Sequence, residues 1–212
     1  MASTQPHLGI IDYQAGNIRS IESAFENIGV RVDVIRNADA IENCTHIILP
    51  GVGAFGHCMA KLRASGLVER LENWALVESR PLLGICVGMQ LMANKGMEMG
   101  EHQGLGWLGG KVLPLEPRPP VVRVPHVGWN DVCFTEDFGG FKVGDAPDFY
   151  FDHSFAYFDP SMGTTIGEGH HGVSFSAVIR RGNLVAAQFH PEKSQEAGLK
   201  FLRGFVELAP PC

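Results

Sequence analysis

The chain has 212 residues, 45% of them apolar and 19% charged, a composition that suits a soluble globular fold and excludes fibrous, disordered and low-complexity architectures. Its 17 Lys plus Arg against 23 Asp plus Glu give a formal charge of −6 with no basic cluster, so neither nucleic acid nor membrane is an expected partner. No apolar run approaches a membrane span, residues 1–9 lack the pattern of a signal peptide, and Cys44, Cys58, Cys86, Cys133 and Cys212 form neither a zinc motif nor a regular disulfide framework, which points to a reducing cytoplasm.

Leu8–Ile11 is a short apolar run ending at Asp12, read as a first strand, and Tyr13–Asn17 carries turn chemistry. Asn17 is placed as N-cap of a helix whose apolar positions Ile18, Ile21, Phe25 and Ile28 recur at helical spacing, with Gly29 at C′. Val30, Val32 and Val34 alternate with Arg31 and Asp33, as in a half-buried strand near a sheet edge. His46–Leu49 is a third strand, stopped by Pro50. Helical stretches follow around His57–Ala64 and Leu67–Glu78, divided by Gly66, and Pro81–Ile85 is a strand apolar enough for burial on both faces. This alternation predicts a parallel sheet with helices on both sides.

From Leu105 the helical pattern stops, and short β-rich runs take over: Val121–Val124, Phe149–His153, Ser174–Arg180 and Leu184–Phe189, the last two joined by a Gly182-Asn183 hairpin turn. Pro114–Pro120 reads as a stiff surface loop. A closing helix runs from about Ser194, its N-cap, to Leu208, with Ala197, Phe201, Phe205 and Leu208 on one face. The expected fold is α/β, with a mixed, largely parallel central sheet flanked by helices and a β-rich antiparallel extension in the second half, as one domain over residues 1–212.

Chemistry concentrates at Pro81–Gln90. Gly84-x-Cys86-x-Gly88 has the form of a nucleophile elbow, the sharp strand-to-helix turn written G-x-S-x-G in its serine version. A Cβ on either flank would collide with the backbone as the chain reverses. Cys86, at a first helical turn whose unpaired N–H groups attract an anion, is the candidate nucleophile; a buried structural cysteine is the alternative from this segment alone. Of nine histidines, only His190, in Gln188-Phe189-His190-Pro191-Glu192-Lys193, has geometry built in. A residue before proline is extended, and residues i and i+2 then project to one side, so Glu192 can orient His190 as the base for Cys86. A surface turn is the plainer reading of the tripeptide; together with the elbow, a triad is favoured. For the oxyanion, N–H donors can come from Val87 and from Pro50-Gly51-Val52-Gly53, which follows a neighbouring strand, although a plain turn has the same composition.

Gly84–Gln90 with His190-Pro191-Glu192 resembles the class I (triad) glutamine amidotransferases. Within them, Ile11–Asn17, Leu49–Gly53, Pro125–Asn130 and Tyr150–Phe155 resemble the glutaminase subunits of imidazole glycerol phosphate synthase, and the likeness runs from about residue 8 to 206. It implies hydrolysis of the glutamine side-chain amide through a Cys86 thioester, with His190 moving the proton and Glu192 holding His190. It further implies that Gln90 and Glu98 hold the head group of L-glutamine, with contacts from Gly51, Val52, Gly53, Val87, His153, Ser154 and Phe155, and that no cofactor or metal takes part. Glu98 also suits an α-ammonium on charge alone, while a solvated glutamate in the loop Lys95–Gly104 is the plainer alternative. The implied partner is a (β/α)8-barrel cyclase subunit that receives the ammonia and makes imidazole glycerol phosphate and an aminoimidazole carboxamide ribotide in histidine biosynthesis. Trp129 and Lys193 are the candidate interface residues, or isolated surface ones.

Three positions depart from the family pattern: Gln14 replaces a frequent glycine, Asp152 an apolar residue, and Phe155 a frequent tyrosine. A positive φ at Gln14 would be strained or is not required. Asp152 places a charge near the glutamine site or on the outward face of an edge strand. The flexible pair Gly51 and Gly53 predicts a glutaminase that is slow alone and switched on by its partner. A cysteine hydrolase or peptidase on the same fold would share the triad without needing a barrel.

Overall fold

The computed structural model describes residues 6–116, 122–158 and 163–209. β1 (Leu8–Ile11) is buried at every position and leads through α1 (Ile18–Asn27) to β2 (Val32–Ile35). Asn17 takes the N-cap position without a side-chain capping bond. At the other end, Gly29 (φ +78°) donates its N–H to Glu26 O and Val30 donates to Phe25 O at 3.0 Å, the paired bonds of a Schellman closure. Val30 is thereby spent on the helix end, and the edge strand starts only at Val32.

β3 (His46–Leu49), α2 (Phe55–Ala64), α3 (Val68–Glu72) and β4 (Leu82–Ile85) follow in the expected order. The second helical stretch passes after Glu72 into a wider π turn, Asn73–Val77, which buries Trp74 and leaves Val77 exposed. Beyond β4 lie α4 (Val87–Leu91), β5 (Ala93–Gly96), β6 (His102–Gln103), β7 (Gly109–Pro114), β8 (His126–Phe134), β9 (Asp148–His153), β10 (Phe155–Phe158), β11 (Thr165–His170), β12 (Ser174–Arg181), β13 (Leu184–Ala187) and α5 (Gln195–Val206). Lys95–Gly104 is thus not a plain loop, since β5 ends and β6 lies within it. Residues 117–121 lie outside the described residues, as does Cys212, so part of the expected Pro114–Pro120 loop and Val121 are not placed. No strand spans 122–124.

The strands form a nine-stranded sheet in the order β2-β1-β3-β4-β13-β12-β11-β8-β9 and a four-stranded sheet in the order β10-β7-β5-β6. β2, β1, β3, β4 and β13 run parallel; from β13 outward every pairing is antiparallel. Chain progression reverses direction after β2, so right-handed crossovers send α1 and α2 to opposite faces. The Gly182-Asn183 turn joins β12 to β13 as expected, with Gly182 at φ +60°. The ring of Phe189 stacks on Phe149 at 3.8 Å and meets Phe201 of α5 edge-on at 5.2 Å. All three are fully buried, each stabilising the fold by roughly 1.5–3 kcal/mol through transfer from water.

Candidate active site

Two neighbouring parallel strands deliver the reacting groups. Ile85 of β4 is in register with Ala187 of β13, so Cys86 and the Gln188–His190 segment leave the sheet side by side at its carboxyl edge. Leu49 of β3 pairs with Gly84, which brings Pro50–Gly53 to the same edge. Cys86 sits at φ +53°, ψ −112°, a conformation a non-glycine residue adopts only when its surroundings enforce it. The enforcement is steric. A Cβ on Gly88 would stand 1.9 Å from Leu49 O, one on Gly84 2.7 Å from Met92 Cε, and one on Gly51 2.6 Å from Gly88 N.

His190 is backbone-fixed, its N–H donating to Tyr150 O at 2.9 Å and its carbonyl accepting from Ser194 Oγ at 2.6 Å. Ser194 takes the N-cap position of α5 without a side-chain capping bond, because its hydroxyl serves His190 and accepts from Tyr150 N at 3.0 Å. The chain is extended at His190 (φ −99°, ψ 95°), but Pro191–Lys193 then closes a single 3-10 turn, so Glu192 reaches back by a turn and not by continued extension. Its Oε1 accepts from His190 Nδ1 at 2.8 Å. Burial works against charge on His190, but the facing Cys86 and Glu192 outweigh it and raise the imidazole to about 10.

These residues open on a cleft of about 360 Å³. Of the expected residues, Val52, Gly53, Cys86, Val87, Gln90, Glu98, His153, Ser154, Phe155, His190 and Lys193 line it. Gly51 does not; it lies beneath, its Cα against Val87 and Gly88. Glu192 stands behind His190, its side chain 1% exposed. Trp129 is outside the cleft and half exposed, its ring 6.1 Å from Tyr150, and Lys193 Nζ lies 5.5 Å from the same ring. Glu98 is not simply solvated: Oε2 accepts from Phe55 N at 2.7 Å, at the start of α2, and the residue lines the cleft.

The Pro50–Gly53 segment is oriented away from anion binding at one position, because Val52 N–H donates to Ala15 O at 3.0 Å. Pro50 O accepts from Tyr13 Oη at 2.7 Å, and Val52 O from Cys58 Sγ at 3.3 Å. Gln14 does adopt the left-handed conformation, at φ +63°, so the glycine-to-glutamine departure is held under strain; its carbonyl accepts from Lys61 Nζ at 2.6 Å. Asp152 is both exposed on the terminal strand β9 and part of the cleft rim.

Two features were not expected from sequence. His126 and His153 are register partners, joined Nδ1 to Nε2 at 2.9 Å. Burial first, and then neighbouring imidazoles, pulls His126 down to about 3; burial leads in lowering His153 to about 4. Gln188, wholly buried, contacts Cys86 Sγ. Alternation along the extended chain up to His190 places Gln188 on the face of His190, and that signal was available.

A family model for "Glutamine amidotransferase class-I" matches residues 9–208. The chain is 44% identical to the imidazole glycerol phosphate synthase subunit HisH of Zymomonas mobilis subsp. mobilis over 96% of each chain. It is 41% identical to the HisH subunit of Rhodospirillum rubrum over 96% of this chain and 99% of that one. Among solved structures, a glutamine amidotransferase aligns with TM-score 0.74 at 20% identity over 94% and 97% of the two chains. PurLQS from Thermotoga maritima aligns with TM-score 0.73 at 18% identity over 96% and 95%. At such identities the structures speak for the fold.

Proposed function

Because the chain belongs to the class I glutamine amidotransferases, and within them to the HisH subunits of imidazole glycerol phosphate synthase, we propose that it hydrolyses glutamine and supplies the ammonia to a cyclase subunit in histidine biosynthesis. The observation that carries this reading is Cys86, held at positive φ in one cleft with His190, which Glu192 holds from behind.

Cys86 Sγ attacks the carboxamide carbon of glutamine with its proton already resting on His190, whose imidazole is held at about 10. The oxyanion faces Val87 N–H, which, at the first turn of α4, has no acceptor within its helix. His190 passes the proton to the departing ammonia, leaving a glutamyl thioester. Water then attacks, gives a proton to His190, and glutamate leaves as the thiolate is expelled. Glu192 keeps Nδ1 occupied, so the other ring nitrogen serves the sulfur. Both Gln90 amide contacts, to Phe155 O at 2.9 Å and Gln188 Oε1 at 3.0 Å, use Nε2; its Oε1, with Glu98 Oε1, is left to accept from the α-ammonium. Backbone N–H groups of the segment 51–53 supply the second oxyanion donor once Val52 leaves Ala15, and Gly51 permits that peptide to turn.

The whole chain acts as one amidotransferase domain. Its partner is a (β/α)8-barrel cyclase that covers the cleft mouth beside Trp129 and Lys193 and receives the ammonia before it reaches solvent. A cytoplasmic site of action suits the four cysteines that are unpaired among the described residues; no helix of those residues is long and apolar enough to cross a membrane. With the cyclase present, Cys86→Ala should lose glutamine-dependent synthesis and keep synthesis from ammonium salt. Loss of both would count against ammonia transfer.

A further inference from the structure

Gln188 has no place in the triad, yet both ends of its buried amide are engaged at the reacting centre. Oε1 accepts from Gln90 Nε2 at 3.0 Å, and Nε2 donates to Cys86 Sγ at 3.8 Å. Gln90 in turn donates to Phe155 O, which also accepts from His153 Nδ1 at 2.9 Å. Gln188 is 0% exposed and Gln90 3%, so these are dry contacts, and a polar group there is costly unless every contact is made. A position that only needed filling would accept leucine or methionine. What Gln188 meets is a donor on one side and a sulfur on the other, and a primary amide serves both from one plane. A carboxylate would offer acceptors alone, a lysine or arginine donors alone.

We propose that Gln188 is a second anchor of the nucleophile, donating to the Cys86 sulfur while holding Gln90, so that one side chain sets the reacting atom and the group facing the substrate's ammonium. The inference rests on Cys86 being the nucleophile. No bond is made or broken at Gln188. It keeps the sulfur aimed past the protonated His190 at the substrate carbon, and it meets the negative sulfur again when the thioester breaks.

Gln188→Glu retains the acceptor for Gln90 and removes the donor to sulfur; Gln188→Met removes both. In the full chain with its cyclase, Gln188→Glu is expected to lower kcat for glutamine by on the order of 10- to 100-fold with KM within about threefold. Gln188→Met is expected to lower kcat and raise KM. Iodoacetamide alkylation of Cys86 at about pH 7, followed by mass spectrometry on folded protein, should slow about tenfold in both. A merely structural glutamine would change the yield of folded protein and leave that rate alone. Wild-type kcat and alkylation rate in either variant would overturn the inference. Should neither variant fold, the unsubstituted chain still decides: the Gln188 side-chain amide resonance should shift when Cys86 is alkylated, and an unmoved resonance overturns the contact. If wild-type Cys86 resists alkylation, or glutamine fails to protect it, the nucleophile assignment itself fails, a separate outcome.

Discussion

Gly88→Ala puts the elbow to a quantitative test. The added methyl would start 1.9 Å from Leu49 O and 2.9 Å from Leu49 C, against an ordinary carbon-to-oxygen approach of about 3.3 Å. Some 1.4 Å must be found by moving α4 away from β3, because both atoms facing the methyl are backbone. Gly51 and Gly84 are also close-packed against the same turn, with nearest atoms 2.6 and 2.7 Å from an added Cβ, so there is little slack elsewhere. Overpacking of this kind costs about 1–3 kcal/mol or more, and for a chain of this size each kcal/mol lowers Tm by about 2–4 °C. Cys86 moves with the turn, and a displacement of about 1 Å at a reacting atom can cost on the order of 100-fold in rate. The matched control is Gly29→Ala: φ is +78° and nothing lies within 4 Å, so only backbone strain of about 1 kcal/mol applies, with no change in glutaminase rate. Thermal melts and steady-state glutamine hydrolysis with the cyclase read both variants. A Gly88→Ala protein with the melting temperature and rate of Gly29→Ala would refute the steric account of the elbow.

Glu192→Gln exchanges a charge-assisted bond for a neutral one and should lower kcat on the order of tenfold; an unchanged kcat would remove Glu192 from the triad. His190 lies at about 10 in the folded chain against an ordinary 6.5, so its stabilising contribution is complete below about 6.5 and lost as pH rises through about 10. The stability gap between wild type and Glu192→Gln should accordingly be full at mildly acidic pH, about 6, and narrow as pH rises through about 10, by denaturant melts across pH. His126 and His153 act with the opposite sign. Buried neutral at about 3 and about 4, they leave the unfolded chain binding more protons below 6.5, so Tm should fall from pH 7 toward 4 and fall less steeply in His126→Gln; equal slopes would contradict this. With Val52 N–H held by Ala15 O, the chain alone should hydrolyse glutamine on the order of 100-fold more slowly than its complex with the cyclase, the worth of one oxyanion donor. Equal rates would sink that assignment.

The parallel half of the sheet was legible because β1, β3, β4 and β13 are almost wholly apolar and β2 alternates, and the elbow because its glycines are spaced by a steric rule. β8 was not legible as a strand because its polarity is inverted: His126 and Asn130 turn inward while Val127 and Trp129 stand outside, 55% and 48% exposed. Alternation read as apolar-inside fails there. The His126–His153 pair depends on a register between distant strands, which no local pattern specifies. The triad was found for a partly mistaken reason, since the 3-10 turn at Pro191, and not continued extension, brings Glu192 to His190. The state of the 51–53 segment followed from two glycines only as a freedom, and the bond to Ala15 decides how that freedom is used.

Because β4 and β13 are adjacent, the separation between thiol and imidazole is set by the spacing of two hydrogen-bonded strands, about 4.8 Å. It does not depend on the long stretch of chain between them. That intervening chain, which builds the outer strands and the whole second sheet, can gain or lose residues at its turns without disturbing the chemistry. The nucleophile and base are therefore insulated from length changes at those turns, provided β9 and β10 keep Tyr150 O on His190 N–H and Phe155 O on Gln90. One hydrolytic centre can in this way tolerate remodelling of the turns between β5 and β11 that do not carry Glu98 or His153–Phe155.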